Sequence, residues 1–230
     1  MRLIERITRR IRRDLKKATR LRQARRDGLD FVEPNFVYRP DLSPGAVVID
    51  AGCSHEADFS MYMIDRHQAR AFGVDPTRKH AAALRQLESR HPGRFAHLPC
   101  AIAATDGTLT FHESRENESG SLLPDHVNVL HDSTTSYDVE AITLKTLLQK
   151  IGVGSIEILK LDLEGAEYDL LDRITADDLR PFRQVFVEFH HHAVNHFSEA
   201  DTQRVVGRIA GFGFRTFSLD DHNFLFYRAS

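Results

Sequence analysis

Cysteine is scarce: Cys53 and Cys100 are the only two among 230 residues, and no metal-ligand or CxxC spacing flanks them. That usage excludes a disulfide scaffold or a cysteine-built zinc module. It implies reduced thiols and a cytoplasmic location. No apolar run approaches the roughly 18 residues that a membrane-crossing helix needs. The opening segment lacks the long apolar core and small-residue cleavage site expected of a secretory signal, and no internal repeat or low-complexity tract is seen. The stretch "DAGCSHEA" lacks the G-x-G-x-x-G that seats a pyrophosphate on a helix N-terminus, which argues against a nicotinamide-dependent dehydrogenase. With 41% hydrophobic residues, the chain has enough apolar material for one large globular domain.

A net charge of −2 conceals a strong asymmetry. Residues 1–26 hold 12 Lys/Arg against Glu5 and Asp14, so this segment carries about +10 and the remainder about −12. Within it, Leu3, Ile4, Ile7, Ile11, Leu15, Ala18 and Leu21 recur at spacings of three and four. This is a narrow apolar stripe on a basic helix, expected over residues 1–30. The stripe has three readings. It packs on the body or on a second copy in a homo-oligomer, it docks the chain peripherally on an anionic inner membrane face, or it binds nucleic acid. Nucleic acid is the weakest of these, because no aromatic or glycine interleaving accompanies the charge. Residues 31–45, punctuated by Pro34, Pro40 and Pro44, read as a connector.

From residue 46 onward strand and helix patterns alternate. "AVVIDAG", "RAFGVDP", "RFAHLPCAIA", "SIEILKLDL" and "FRQVFVEFH" read as five main strands separated by helices. "GTLTFHE" reads as an antiparallel piece, residues 113–136 as a long polar loop, and "FRTFSLD…NFLFYR" as a terminal hairpin. The alternation predicts a three-layer α/β sandwich around a mainly parallel sheet. Ligands bind such sheets beyond the carboxyl ends of the strands. The residues to weigh are therefore Asp50 and Gly52, Asp75, Cys100 and Ala101, Asp162 with Glu164, and Glu188 with His190.

Gly52 lets backbone approach a ligand closely, and Asp75 lies at the right distance for ribose hydroxyls. The alternative is that Asp50 caps a helix while Asp75 starts a turn before Pro76. In "LKLDLEGAE", strand alternation puts Lys160 and Asp162 on one face. Lys160 is then a counter-ion between carboxylates such as Asp50 and Glu188, with Asp162 at the rim. His190 is the first choice to accept a substrate proton. A divalent metal on Asp162, Glu188 and His190, or a purely structural role, are the alternatives.

The pieces "VVIDAGCS…FGVDP…LKLDLEGAEYDLL…VFVEFHH" resemble the FkbM family of S-adenosylmethionine-dependent methyltransferases. Residues 160–167, "KLDLEGAE", look like that family's most specific signature, and the likeness runs over roughly residues 44–228. The resemblance implies a class I methyltransferase (Rossmann-like) sandwich with a seven-stranded sheet and an antiparallel edge pair. It further implies S-adenosylmethionine as cofactor and O-methylation of a small-molecule or glycan acceptor, such as a sugar, glycoconjugate or related natural product. Carried over by position, Asp50 and Gly52 flank the methionine part, Asp75 holds the ribose, and Cys100 and Ala101 border the adenine, while Asp162 at the rim is expected to face the cofactor or acceptor. Two positions depart from the pattern. Glu56 stands where the family places a second glycine, and Lys145 replaces an aspartate. A bulky acid at Glu56 is expected to narrow the loop or repel the methionine carboxylate. A methyltransferase-like binding or scaffold protein without activity is thus the competing expectation.

Overall fold

Apolar residues at alternate positions decide the layering, because each strand of the central sheet must bury both faces. In the computed structural model, which describes residues 16–228, a helix over residues 16–26 (α1) leads into β1 (Asp30–Val32) and β2 (Phe36–Tyr38). The α/β core follows as β3 (Val47–Ala51), α2 (Asp58–His67), β4 (Arg70–Val74), α3 (Ala81–Arg90) and β5 (Phe95–Leu98). An inserted region then holds β6 (Ala101–Ile102), β7 (Gly107–Ser114), β8 (Gly120–Ser121), α4 (Val127–Leu130) and β9 (Thr134–Ile142). The core resumes with α5 (Leu144–Ile151), β10 (Ile156–Leu161), α6 (Glu167–Arg173), β11 (Phe182–Glu188), α7 (Glu199–Gly211), β12 (Arg215–Ser218) and β13 (Asn223–Tyr227).

The seven-stranded sheet runs β12-β13-β11-β10-β3-β4-β5, parallel except that β13 opposes both its neighbours. Chain direction across the sheet reverses between β3 and β10, which makes their shared carboxyl end the topological switch point. Ile49, Leu159, Leu161, Val185 and Val187 face one way and pack on α5, α6 and α7. Val48, Ala71 and Ile158 face the other way, against Met63 and Ile64 of α2 and Leu84 of α3. Seven strands, a terminal antiparallel pair and three layers agree with the class I sandwich expected from the sequence.

Three expectations change. The third strand breaks after Leu98: β5 stays in the central sheet, while β6 joins a separate four-stranded sheet, β6-β9-β7-β8. Pro99 stands between them and has no backbone donor for a ladder. The polar stretch 113–136 is not a plain loop, since it contains β8 and α4. Finally, the presumed connector contains the β1–β2 hairpin, whose Phe36 ring meets Phe59 and Phe186 edge-on, each at 4.8 Å between centroids. The Arg39 amide donates to Gln184 Oε1 at 2.7 Å, fixing the end of this hairpin to β11. Of the basic N-terminal helix, residues 1–15 lie outside the described residues. The rest packs Leu21 and Ala24 against the body, and Lys16 and Arg20 both reach Asp221.

Candidate active site

Parallel register sets Lys160 of β10 beside Asp50 of β3, and the two strands end together at Leu161 and Ala51. The Lys160 ammonium lies 3.5 Å from Asp50 Oδ1 and 3.0 Å from Asp162 Oδ2. Burial opposes a charge on this lysine, yet the Asp162 and Asp50 carboxylates outweigh it and raise its pKa. Asp50 itself is buried, which pushes its carboxyl upward against the pull of Lys160. Its Oδ2 accepts from the Ser60 hydroxyl at 2.9 Å and holds the first turn of α2. Its Oδ1 has no hydrogen-bond donor among the described residues. Asp50 therefore does anchor a helix, as one reading of the sequence anticipated, and still presents one unsatisfied oxygen.

The loop after β3 is pressed between neighbouring strand ends. The Gly52 amide donates to Val74 O at 2.8 Å, and the Asp162 amide donates to Ala51 O at 3.0 Å. Gly52 has φ +80°, and a Cβ there would fall 1.8 Å from Asp162 O, so no other residue fits this conformation. Ser54 and Ala57 carry the loop's left-handed turns, at φ 55° and 48°. Glu56 is not among the left-handed residues. With its side chain 66% exposed, it is accommodated without pinching the backbone.

Asp75, just past β4, is buried and draws three donors. Ser54 N–H reaches its Oδ2 at 2.9 Å, Thr77 N–H its Oδ1 at 2.8 Å, and His80 Nδ1 its Oδ2 at 3.2 Å. Burial would raise its pKa, but the bonds from His80 and Thr77 prevail and keep it ionised. An ionised carboxylate has about four acceptor sites, so one remains for a ligand hydroxyl after these three bonds.

Two adjoining compartments, of about 190 Å³ and 380 Å³, meet over Gly52, Ser54 and Asp162. Together they fall within the ~300–1,000 Å³ range of small-molecule sites. The first is walled by Asp75, Cys100, Ala101 and Ile102 at its base and by Phe111 and Glu118 from the inserted sheet. The second brings Asp50, Lys160, Glu188 and Asn223 together with Asn35 and Phe36 of the β1–β2 hairpin.

Glu188 ends β11 one step beyond Val187, the register partner of Leu161, and so stands beside Asp162. Burial, reinforced by the neighbouring Asp162 charge, pushes its carboxyl up to about 7. His190 behaves differently. The strand stops at Glu188, so its two-residue alternation does not carry on to His190. His190 lines neither compartment. Its backbone N–H donates to Glu167 Oε1 at 2.7 Å and its Nδ1 lies 3.1 Å from the same oxygen. Its Nε2 sits 3.6 Å from both Asp162 Oδ1 and Glu164 Oε2. Burial works against a charge there, but Glu167, Asp162 and Glu164 overcome it and raise the imidazole to about 10. His190, the first choice for a base from the sequence, thus stands outside both compartments, where it orders the motif's acids. Among the described residues, Asp162, Glu188 and His190 do not gather as a metal-ligand group.

The acids of "LEGAE" each find a partner that sequence reading left unassigned. Glu167 is fully buried, accepting from Gly165 N–H at 2.9 Å on one oxygen and from His190 on the other. Glu164 sits at φ 50° with Oε2 2.8 Å from His126 Nε2, and its carbonyl accepts from the Ser121 hydroxyl at 2.7 Å. The final glutamate of the motif was the available signal for Glu167. His126, His80 and Glu118 come from segments with no distinctive pattern.

A family model described as the methyltransferase FkbM domain matches residues 45–216. A curated relative, the 2-O-methyltransferase NoeI of Sinorhizobium fredii, is 28% identical over 142 residues. That match covers 56% of this chain and 57% of NoeI, so the chain spans little more than half the length of this relative. Among solved structures, a putative rRNA-methylase from Clostridium thermocellum aligns at TM-score 0.45 with 10% identity, covering 80% of this chain and 86% of its own. TrmK of M. capricolum, in complex with S-adenosylhomocysteine, aligns at TM-score 0.39 with 10% identity, covering 81% and 62%.

Proposed function

The chain belongs to the FkbM methyltransferase family, and from that premise we propose that it methylates a hydroxyl oxygen of a carbohydrate, glycoconjugate or related natural product. S-adenosylmethionine, the cofactor of these methyltransferases, supplies an electrophilic methyl group on a sulfonium. The residues present suit it. Asp75 keeps an acceptor site for ribose hydroxyls, with Cys100 and Ala101 bordering the adenine. The unsatisfied Asp50 Oδ1 and the rim carboxylate Asp162 suit the methionine ammonium, and Gly52 leaves room for close backbone approach.

The acceptor enters the second compartment. Glu188 takes the proton of its hydroxyl as the oxygen attacks, and a carboxylate raised to about 7 is matched to that task near neutral pH. Lys160 balances Asp50 and Asp162, so the wall stays rigid and the attacking oxygen is held in line. The β1–β2 hairpin closes the far side with Asn35 and Phe36. Asn side chains and aromatic faces are suited to hydroxyl-rich rings.

The carrying observation is the placement of Glu188 beside Asp162 at the switch point, in the compartment that meets the Asp75 compartment over Gly52. The activity of NoeI, a 2-O-methyltransferase, supports oxygen as the acceptor atom. The test is transfer of isotopically labelled methyl from S-adenosylmethionine to a panel of sugars and oligosaccharides, with products located by mass spectrometry. Label on a sugar oxygen is the expected result. Label confined to nitrogen acceptors, or no transfer across a broad hydroxylated panel, counts against it.

A further inference from the structure

We propose that His55, His80 and Glu118 form a divalent transition-metal site at the lip of the first compartment, distinct from the methyl-transfer residues. Among the described residues, their ligand atoms all lie within 4.8 Å of one another. His80 Nε2 is 2.9 Å from Glu118 Oε2, and His55 Nδ1 is 3.6 Å from the same oxygen. Tetrahedral zinc with bonds of ~2.0–2.1 Å requires ligand atoms roughly 3.3 Å apart. The two distances straddle that value, and small side-chain rotations equalise them.

His80 is prepared for the role. It is buried, and its Nδ1 faces the ionised Asp75, which directs Nε2 outward toward Glu118. A carboxylate behind a histidine is the usual outer-shell partner of a metal ligand, fixing its tautomer and orientation. The other two ligands are exposed enough to adjust, with side chains 40% accessible at His55 and 61% at Glu118. Two imidazoles and one carboxylate favour Zn²⁺, Co²⁺ or Ni²⁺ over Mg²⁺ or Ca²⁺, and leave an open position. Lys79 lies 4.0 Å from Glu118 Oε2, and its ammonium is already held by the Ser114 and Asn117 carbonyls. Binding replaces the proton between His80 Nε2 and Glu118, so the ion enters as a proton leaves.

The three ligands come from three loops: His55 after β3, His80 at the start of α3, and Glu118 between β7 and β8. An ion there ties the inserted sheet to the core across the first compartment. Its presence does not depend on which acceptor is methylated.

The test is titration of the full chain, freed of metal by chelation, with Co²⁺ while following visible d–d absorption. One saturable equivalent, displaced by Zn²⁺, is expected, with affinity in both His55→Ala and Glu118→Gln lower by at least the roughly 10–100-fold that loss of an outer-shell partner already costs. Zn²⁺ should raise the melting temperature of wild type and not of either variant. Circular dichroism checks that both variants fold, and both altered side chains are on the surface. Absence of saturable absorption in wild type overturns the site. So does absorption that persists in both variants and disappears in His222→Ala, which would place the ion among the packed rings of His191, His192 and His222.

Discussion

The Lys160 ammonium lies 3.0 Å from the carboxylate of Asp162, two residues further along the same strand end, and its other neighbour is the buried Asp50. One cation thus serves two acids at the switch point of the sheet. Replacing it with the similarly shaped methionine leaves Asp50 with an uncompensated buried charge. Breaking a buried pair in this way costs about 3–5 kcal/mol. Urea unfolding at pH 7 should show a loss of that size for Lys160→Met. The deficit should shrink in acid, where Asp50 takes up a proton. A loss below ~1 kcal/mol would mean that the pair is not structural.

Glu188→Gln keeps the shape of the second compartment and removes the proton acceptor. The turnover number should fall by about 10²–10⁴-fold, while calorimetric affinity for S-adenosylhomocysteine stays unchanged. In the wild type, turnover should rise with pH through about 7, as Glu188 ionises, and the variant should lose that limb. A variant with the same pH profile as wild type would move the base elsewhere.

His190 gives the protein a pH-dependent stability of definite sign. Its pKa is raised from 6.5 to about 10 by Glu167, Asp162 and Glu164 against the cost of burial, and the His126 and His192 rings also face it. The folded chain therefore binds a proton that the unfolded chain has lost. That contribution is fully present below pH 6.5 and disappears as pH rises toward 10. Urea midpoints should fall across this window in the wild type. His190→Gln should be less stable at pH 6 and show a flatter profile above it.

Gly52→Ala brings a Cβ to 1.8 Å from Asp162 O at a residue with φ +80°. Either the loop or the end of β10 must move, so both stability and cofactor affinity should drop. Backbone strain and the displaced strand end together should cost more than ~2 kcal/mol. Thermal melting and calorimetry on one purified variant check both effects.

Much of this site was readable because period-2 alternation survives in β10. Ile158, Lys160 and Asp162 could be assigned to one face from the sequence, and the register with β3 gives Lys160 its buried partner. The same rule failed at His190, because β11 ends at Glu188 and a tertiary contact with Glu167, 23 residues earlier, sets the ring's direction. The β1–β2 hairpin escaped notice since Pro34 reads as loop punctuation, while packing of Phe36 on Phe59 and Phe186 makes it part of the wall. Glu118 and His80 are 38 residues apart and meet only when the inserted sheet folds back on the core. No local pattern encodes such a meeting.

The paired compartments around Gly52 are assigned to the methyl donor, with Asp75 on its ribose. Calorimetric titration of S-adenosylhomocysteine into wild type and Asp75→Ala tests it most directly. Wild type should show saturable 1:1 binding, and the variant an affinity at least about 10-fold weaker, the value of hydrogen bonds to a charged group. No binding by wild type at millimolar ligand, or undiminished binding by Asp75→Ala, would contradict it.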